Sequence, residues 1–300
     1  MSALTQIPEH YTTQFDTNWK HLVQQKNSKL REYVTLDQVQ GKEKSYNQLA
    51  ESSMQLITSR SGETRITDQA TAKRWVRPKG YDTAKLFDEF DEQLLGEVVL
   101  PTSPVVQSHA AAYARTCDSI IIDALGGTAY TGESGTTATS LPGTQKVAVN
   151  YVESGAAANS GLTIAKLRAA KFILDSNDVD EEEERIIVVS AKQLQDLLRT
   201  TEITSADFNS VKALVDGSVN TFMGFRFRRT QLLPLVSATD VRSVYVYVKS
   251  GVVLAERGLK THLDIRTDLS HSLQIRSVAN LGATRMEEKK VVEIACDESP

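Results

Sequence analysis

Cysteine, aromatic residues and any excess of positive charge are scarce in this 300-residue chain, and each scarcity excludes something. Cys117 and Cys296 are the only cysteines, and no CxxC or paired Cys/His spacing exists, so a structural zinc site is excluded. Reduced cytosolic thiols are the plainer reading of the two, with a structural disulfide between them the alternative. Aromatics make up 6% of the residues, which implies aliphatic cores or burial between subunits. Lysine and arginine number 34 against 38 acidic residues, for a net charge of −4. A protein that grips nucleic acid electrostatically carries a basic excess, so any contact with DNA is expected to be weak and non-specific. No apolar run approaches the roughly 20 residues of a membrane span. The longest candidate, Val105 to Leu125, is interrupted by His109, Arg115, Asp118 and Asp123. The first 20 residues have no apolar segment of a secretory signal.

What is present is an ordinary folded composition, 40% hydrophobic and 24% charged. A chain this long buries about 75% of its unfolded surface without needing staples. Residues 1–45 are polar, with sparse apolar positions. Trp19, Leu22 and Val23 stand at helical spacing, as in a short helix within an extended arm. Between 46 and 80 no continuous apolar face exists. Met54–Ser59 and Lys73–Arg77 are expected to pair as a long hairpin that cannot bury a face by itself.

The clearest element is a helix from about 105 to 125, capped by Ser103 and opened by Pro104. Its expected inner face is Val106, Ala110, Tyr113, Cys117, Ile120 and Ala124, and Gly126–Gly127 ends it. Lys146–Val152 alternates like a strand. Leu162 and Leu167 flank a Thr163 cap, opening a helix to about Leu174 with Ile164, Leu167, Ala170 and Leu174 on one face. Arg185–Val189 is a buried strand that runs into a helix capped at Ser190, with Gln193 completing a capping box. A short helix is expected from about Ser205 to Gly217. The next strand, Thr221–Thr230, puts Phe225 and Phe227 on one face and Arg226 and Arg228 on the other. Val241–Val248 and Gly251–Glu256 read as a hairpin, followed by alternating runs at Thr261–Thr267, Leu273–Val278 and Lys290–Cys296. The fold class is α+β.

Catalytic patterns fail one by one. Gly126–Gly135 lacks the P-loop lysine and the G-x-G-x-x-G spacing, and it follows a helix instead of a strand. Ser134 lacks the nucleophile-elbow spacing. None of the five histidines stands four residues from another. The acidic run from Asp178 to Glu184 lacks the glycine and ligand spacing of a calcium loop. No cofactor is implied. The arm and the hairpin both need something to pack against, which points to other copies of the chain. Candidate inter-subunit residues are Arg60, Glu63, Arg65, Arg74, Trp75 and Arg77 on the hairpin, and the basic stripe of Arg226 and Arg228.

The chain resembles the major capsid protein of tailed bacteriophages, with the HK97-type fold. The resemblance rests on Gln24–Gln25–Lys26, Ser28–Lys29–Leu30–Arg31, Arg74–Trp75–Val76, Pro101–Thr102–Ser103–Pro104, Gly161–Leu162–Thr163 and the run Thr200 to Asp207. It is most specific at the end, in Gly282–Ala283–Thr284–Arg285, Glu287–Glu288 and Val291–Val292–Glu293–Ile294. It implies an N-terminal arm over 1–45, an E-loop over 46–80 and a P-domain over 81–160 with a spine helix at about 105–125. It further implies an A-domain over 161–255 and returning P-domain strands over 256–300. The implied function is a non-catalytic shell subunit that self-assembles into pentamers and hexamers, a homo-oligomer enclosing double-stranded DNA as the virion capsid, built in the host bacterial cytoplasm. The implied partners are a separate scaffolding protein, a portal protein and a possible decoration protein, with no membrane. Alternatives are an encapsulin-like or gene-transfer-particle shell protein, and an α/β enzyme.

Overall fold

The computed structural model describes residues 24–57, 60, 66, 68–87, 104–199, 220–269 and 271–299. The expected helices around Trp19 and from Ser205 to Gly217, and the Ser103 cap, lie outside the described residues.

In chain order the elements are β1 (Thr35–Gln38), β2 (Lys44–Leu49), β3 (Thr71–Val76), β4 (Lys79–Phe87), α1 (Pro104–Gly126), β5 (Ala129–Thr131), β6 (Thr137–Thr139) and β7 (Lys146–Val147). They continue as α2 (Ile164–Ser176), β8 (Arg185–Val189), α3 (Ala191–Arg199), β9 (Thr221–Phe222), β10 (Phe225–Arg229) and β11 (Leu235–Val236). The chain finishes with β12 (Val241–Val248), β13 (Val252–Glu256), β14 (Lys260–Arg266), β15 (Ser272–Arg285) and β16 (Val291–Asp297).

These strands form three sheets. The first runs β1-β13-β15-β14, with β4 also on β15. Leu281 pairs with both Glu256 and Lys79, so β13 and β4 lie on opposite edges of the long strand β15. The second runs β7-β16-β12-β8-β10-β9, with β11 on β12. The third, β2-β3-β5-β6, carries the hairpin. In the second sheet every residue of β8 is buried, as expected for a strand covered on both faces. One large core cluster joins this sheet to the C-terminal half of α1, to α2 and to β13.

The helix signals at Thr163, Ser190 and Gly126 hold. Thr163 accepts from the Lys166 amide, and Ile164, Leu167, Ala170 and Leu174 are all buried. The Ser190 amide donates to Gln193 Oε1, half of the expected capping box. α1 ends at Gly126, where a Cβ would collide with the Tyr245 ring.

Several expectations are corrected. The buried face of α1 is Val105, His109, Ala111, Ala114, Cys117, Asp118, Ile121, Ile122 and Leu125, about one residue round from the expected stripe. Ile120 packs only partly against the core, whereas Ile121 is fully buried. The hairpin partner of β3 is Lys44–Leu49, not Met54–Ser59. The Lys146–Val152 strand shortens to β7. Thr221–Thr230 is two strands folded back at Met223–Gly224, both with positive φ. β12 and β13 do not pair with each other; the chain passes from the second sheet to the first between them.

Candidate inter-subunit surfaces and the contacts that hold them

The segment from Gln24 to Gln38 is stitched across the body. Asp118 is fully buried on α1, and its carboxylate accepts from the Lys29 amide (3.0 Å), the Leu30 amide (3.1 Å), Ser28 Oγ (2.5 Å) and Gln25 Nε2. A buried backbone amide needs an acceptor, and the one carboxylate serves the buried Leu30 amide and the part-buried Lys29 amide together. Next to it, Glu256 accepts from Arg31 Nε (3.1 Å) and from the Tyr113 hydroxyl (2.8 Å). Burial works to raise the Glu256 pKa, but the hydrogen bonds from Arg31 and Tyr113 outweigh it and hold the carboxyl below its ordinary value. Leu30 and Val34 enter the main core, and β1 then runs parallel to β13.

The hairpin base is equally anchored. Arg74 is 4% exposed and grips Glu288 with two parallel bonds of 2.8 Å. Its Nε donates to the Met286 carbonyl at 3.1 Å. Trp75 donates to the Gly132 carbonyl at 2.8 Å, and Gly135 (φ +64°) lies so close to the indole that a Cβ would clash. Arg77 pairs with Glu43 at 3.0 Å, donates to the Gly135 carbonyl and stacks on Tyr130.

The basic stripe also has partners within the chain. Arg226 pairs with Glu184, and both Arg226 and Arg228 lie over the Tyr33 ring, Arg228 at 4.0 Å. Of the eight candidate contact residues, the structure therefore gives Arg74, Trp75, Arg77, Arg226 and Arg228 contacts inside one subunit. Arg60 is exposed, and Glu63 and Arg65 lie outside the described residues.

The surface that does lack cover is apolar. On the hairpin's outer part Leu49, Met54, Leu56, Ile57 and Ile66 are all exposed, Met54 completely. The first sheet shows a second such area. Leu263 and Ile265 of β14 stand on the same face as Ile275 and Phe87, which pack with Val105 of α1, yet both are exposed. Sequence reading emphasised the hairpin's charges and missed these aliphatic side chains, although Met54, Leu56 and Ile57 are visible as the one apolar cluster in a polar stretch.

Burial pushes the Cys117 thiol up to about 11 and the Cys296 thiol up to about 12, so both stay protonated and inert. Among the described residues no group of three or more His, Cys, Asp or Glu is placed to hold a metal ion. No described helix is long and apolar enough to cross a membrane.

Comparison with known proteins gives this arrangement a context. The model of one family, described as phage capsid protein, matches residues 7–298. No curated protein sequence matches the chain. Similar solved structures include the capsid of cyanophage P-SCSP1u, at 18% identity and a TM-score of 0.71, covering 96% of this chain and 94% of that one. The head of Helicobacter pylori bacteriophage KHP40 matches at 10% identity and a TM-score of 0.73, with complete coverage of both chains. The capsid of a native GTA particle matches at 11% identity and a TM-score of 0.65, covering 99% of each.

Proposed function

The chain belongs to the phage capsid protein family, and on that premise we propose that it is the major capsid protein of a tailed phage, assembling into the pentamers and hexamers of an icosahedral shell around double-stranded DNA. The observation that carries this reading is a subunit with an α+β capsid fold whose anchored hairpin ends in exposed Met54, Leu56 and Ile57. A cluster of exposed apolar side chains marks an interaction site, and a neighbouring copy in a shell would bury it. In this reading residues 46–80 act as the E-loop, residues 1–45 as the arm, and α1 as the spine of the P-domain. The A-domain spans 161–255, and 256–300 returns to the P-domain.

The net charge of −4 supports a container whose wall contacts DNA without sequence preference. Scaffolding, portal and decoration proteins would be the partners of such a shell, and the virion its destination after assembly in the host cytoplasm. Likeness to a GTA capsid supports a second reading, a gene-transfer particle built of the same subunit.

Electron microscopy of the purified protein, alone and co-expressed with a candidate scaffolding protein, tests the proposal. Closed shells of uniform diameter are expected. Monomers alone under both conditions would overturn it. The lengths of DNA recovered from particles would separate a phage genome from random host fragments.

A further inference from the structure

Arg74 was expected to touch a neighbouring subunit, but it is enclosed in its own. Its surroundings explain what a buried guanidinium is for. β2 and β3 present Tyr46, Gln48, Arg74 and Val76 on one face of the hairpin, as their register requires. Val76 and Tyr46 pack with Val39 and Ala255 in a small apolar cluster at the base. One step outward, Gln48 Nε2 from one strand and Arg74 Nε from the other donate to the same acceptor, the Met286 carbonyl. Arg74 then closes the contact with its two bonds to Glu288. Farther out the Ala50 amide donates to the Ala70 carbonyl, and residues 49–57 are exposed.

The acceptor side is rigid. Met286 donates its own amide to the Gly251 carbonyl at 2.8 Å. Its neighbour Arg285 is fully buried and holds the carbonyls of Leu125 (2.8 Å), Ala124 (3.1 Å) and Thr139 (3.2 Å), which ties the end of α1 to the hairpin's own sheet. The turn from Arg285 to Lys290 is also where β15 of the first sheet passes into β16 of the second. All three sheets therefore meet at one turn, and the hairpin leaves the body from it.

We infer that Arg74 is a positioning residue for assembly: its fork on Glu288 and the Met286 carbonyl sets the direction of the hairpin, and so the place on a neighbour that the tip can reach. This rests on the proposed shell function. The six residue steps from Gln48 to Met54 reach at most about 20 Å when extended, so a tilt of about 10° at the clasp displaces Met54 by up to about 3 Å. Contacts between apolar side chains are lost over such a distance. A lysine at 74 keeps the charge but cannot make the parallel pair.

The test compares Arg74→Lys and Glu288→Gln with the parent chain by three readouts. Thermal melts give the folded fraction. Hydrogen exchange of the isolated subunit reports the amides of 44–49 and 71–76. Microscopy and sedimentation give the shell yield, measured at temperatures where the melts show full folding. Both variants are expected to exchange roughly tenfold faster in the hairpin and to lose roughly tenfold or more in shell yield while folded. Glu288→Gln, the milder change, keeps the question open to measurement if Arg74→Lys does not fold. A yield that simply follows the folded fraction, or unaltered exchange, would overturn the inference. Failure of the parent to form shells would sink the functional reading instead, and the exchange readout would still judge the clasp.

Discussion

The segment at 24–38 and the outer part of the hairpin are similar stretches of sequence, polar with a few aliphatic residues, and they end in opposite surroundings. In the first, Leu30 and Val34 are buried to 1% exposure or less. In the second, Leu56 is 83% exposed and Ile57 87%. What separates them is the fate of their backbone polar groups. The amides of Lys29 and Leu30 end on Asp118, and Thr35–Gln38 continues into a parallel ladder with β13. In the hairpin the outermost backbone bond between described residues runs from the Ala50 amide to the Ala70 carbonyl. A polar stretch joins the body when a buried acceptor is waiting for its amides, and otherwise its apolar residues remain available to another molecule.

The contrast breaks most readily at Asp118. Asp118→Ala leaves the buried Leu30 amide and the part-buried Lys29 amide without this acceptor, so a loss of about 2–4 kcal/mol is expected. Asp118→Asn retains one acceptor oxygen and should fall between. Urea melts measure both, with hydrogen exchange over residues 24–38 showing whether the segment is released. An unaltered midpoint for Asp118→Ala would mean that the segment is not stitched down by this carboxylate.

Asp118 also shows why part of the fold was hidden in the sequence. A stripe search for apolar spacing on α1 passes over Asp118 and His109, and so settles about 100° from the true inner face. Both polar residues are buried because partners distant in the chain satisfy them: Ser28 to Leu30 for one, Ser277 for the other. Arg74 misleads in the same way, as a charge that reads as surface until Glu288 is placed beside it. β2 was missed because Lys44–Leu49 contains only Tyr46 and Leu49 as apolar residues, and its inward positions are partly filled by Gln48. Signals that complete themselves within a few residues were legible: the Thr163 cap, the Ser190–Gln193 box, the five apolar-rich residues of β8 and the Gly126 stop. The three-sheet meeting point at Arg285–Lys290 depends on contacts between residues more than 140 apart, and no local pattern announces it.

His109 sharpens the comparison with a smaller, pH-dependent effect. Its Nδ1 lies 3.1 Å from Ser277 Oγ, which in turn meets Thr261 Oγ1 at 3.0 Å. Burial between α1 and β15, then the nearby Lys85 charge, lowers its pKa below the ordinary value of about 6.5. Asp82 of β4 and Tyr113 line the adjoining cavity. The unfolded chain takes up a proton here as the pH falls through about 6.5, while the folded chain resists it, so stability drops from that pH downward and levels off below the folded pKa. His109→Gln removes this limb. The difference in melting midpoint between parent and variant should therefore shrink as the pH is lowered from about 7 to about 5. A difference that does not vary across that range would place His109 in contact with solvent, outside the body's polar stitching.

At the other end of the comparison, substitutions on the hairpin's outer part should leave the isolated subunit almost untouched. Met54 and Leu56 are 103% and 83% exposed, so Met54→Ser and Leu56→Ser remove no buried surface and should shift stability by no more than about 0.5 kcal/mol. In a shell the balance differs. Burying each methylene of such a side chain against a neighbour is worth about 0.8 kcal/mol, and the contact recurs in every copy. Melts of the two variants should overlay the parent's, while sedimentation shows fewer and less stable shells. Two outcomes would break the contrast. A clearly lowered melt would mean that the hairpin's aliphatic residues already belong to their own subunit, like Leu30 and Val34. Normal shells at normal yield would mean that no neighbour uses them, and the exposed apolar surface on β14 at Leu263 and Ile265 would then be the stronger candidate for the contact between copies.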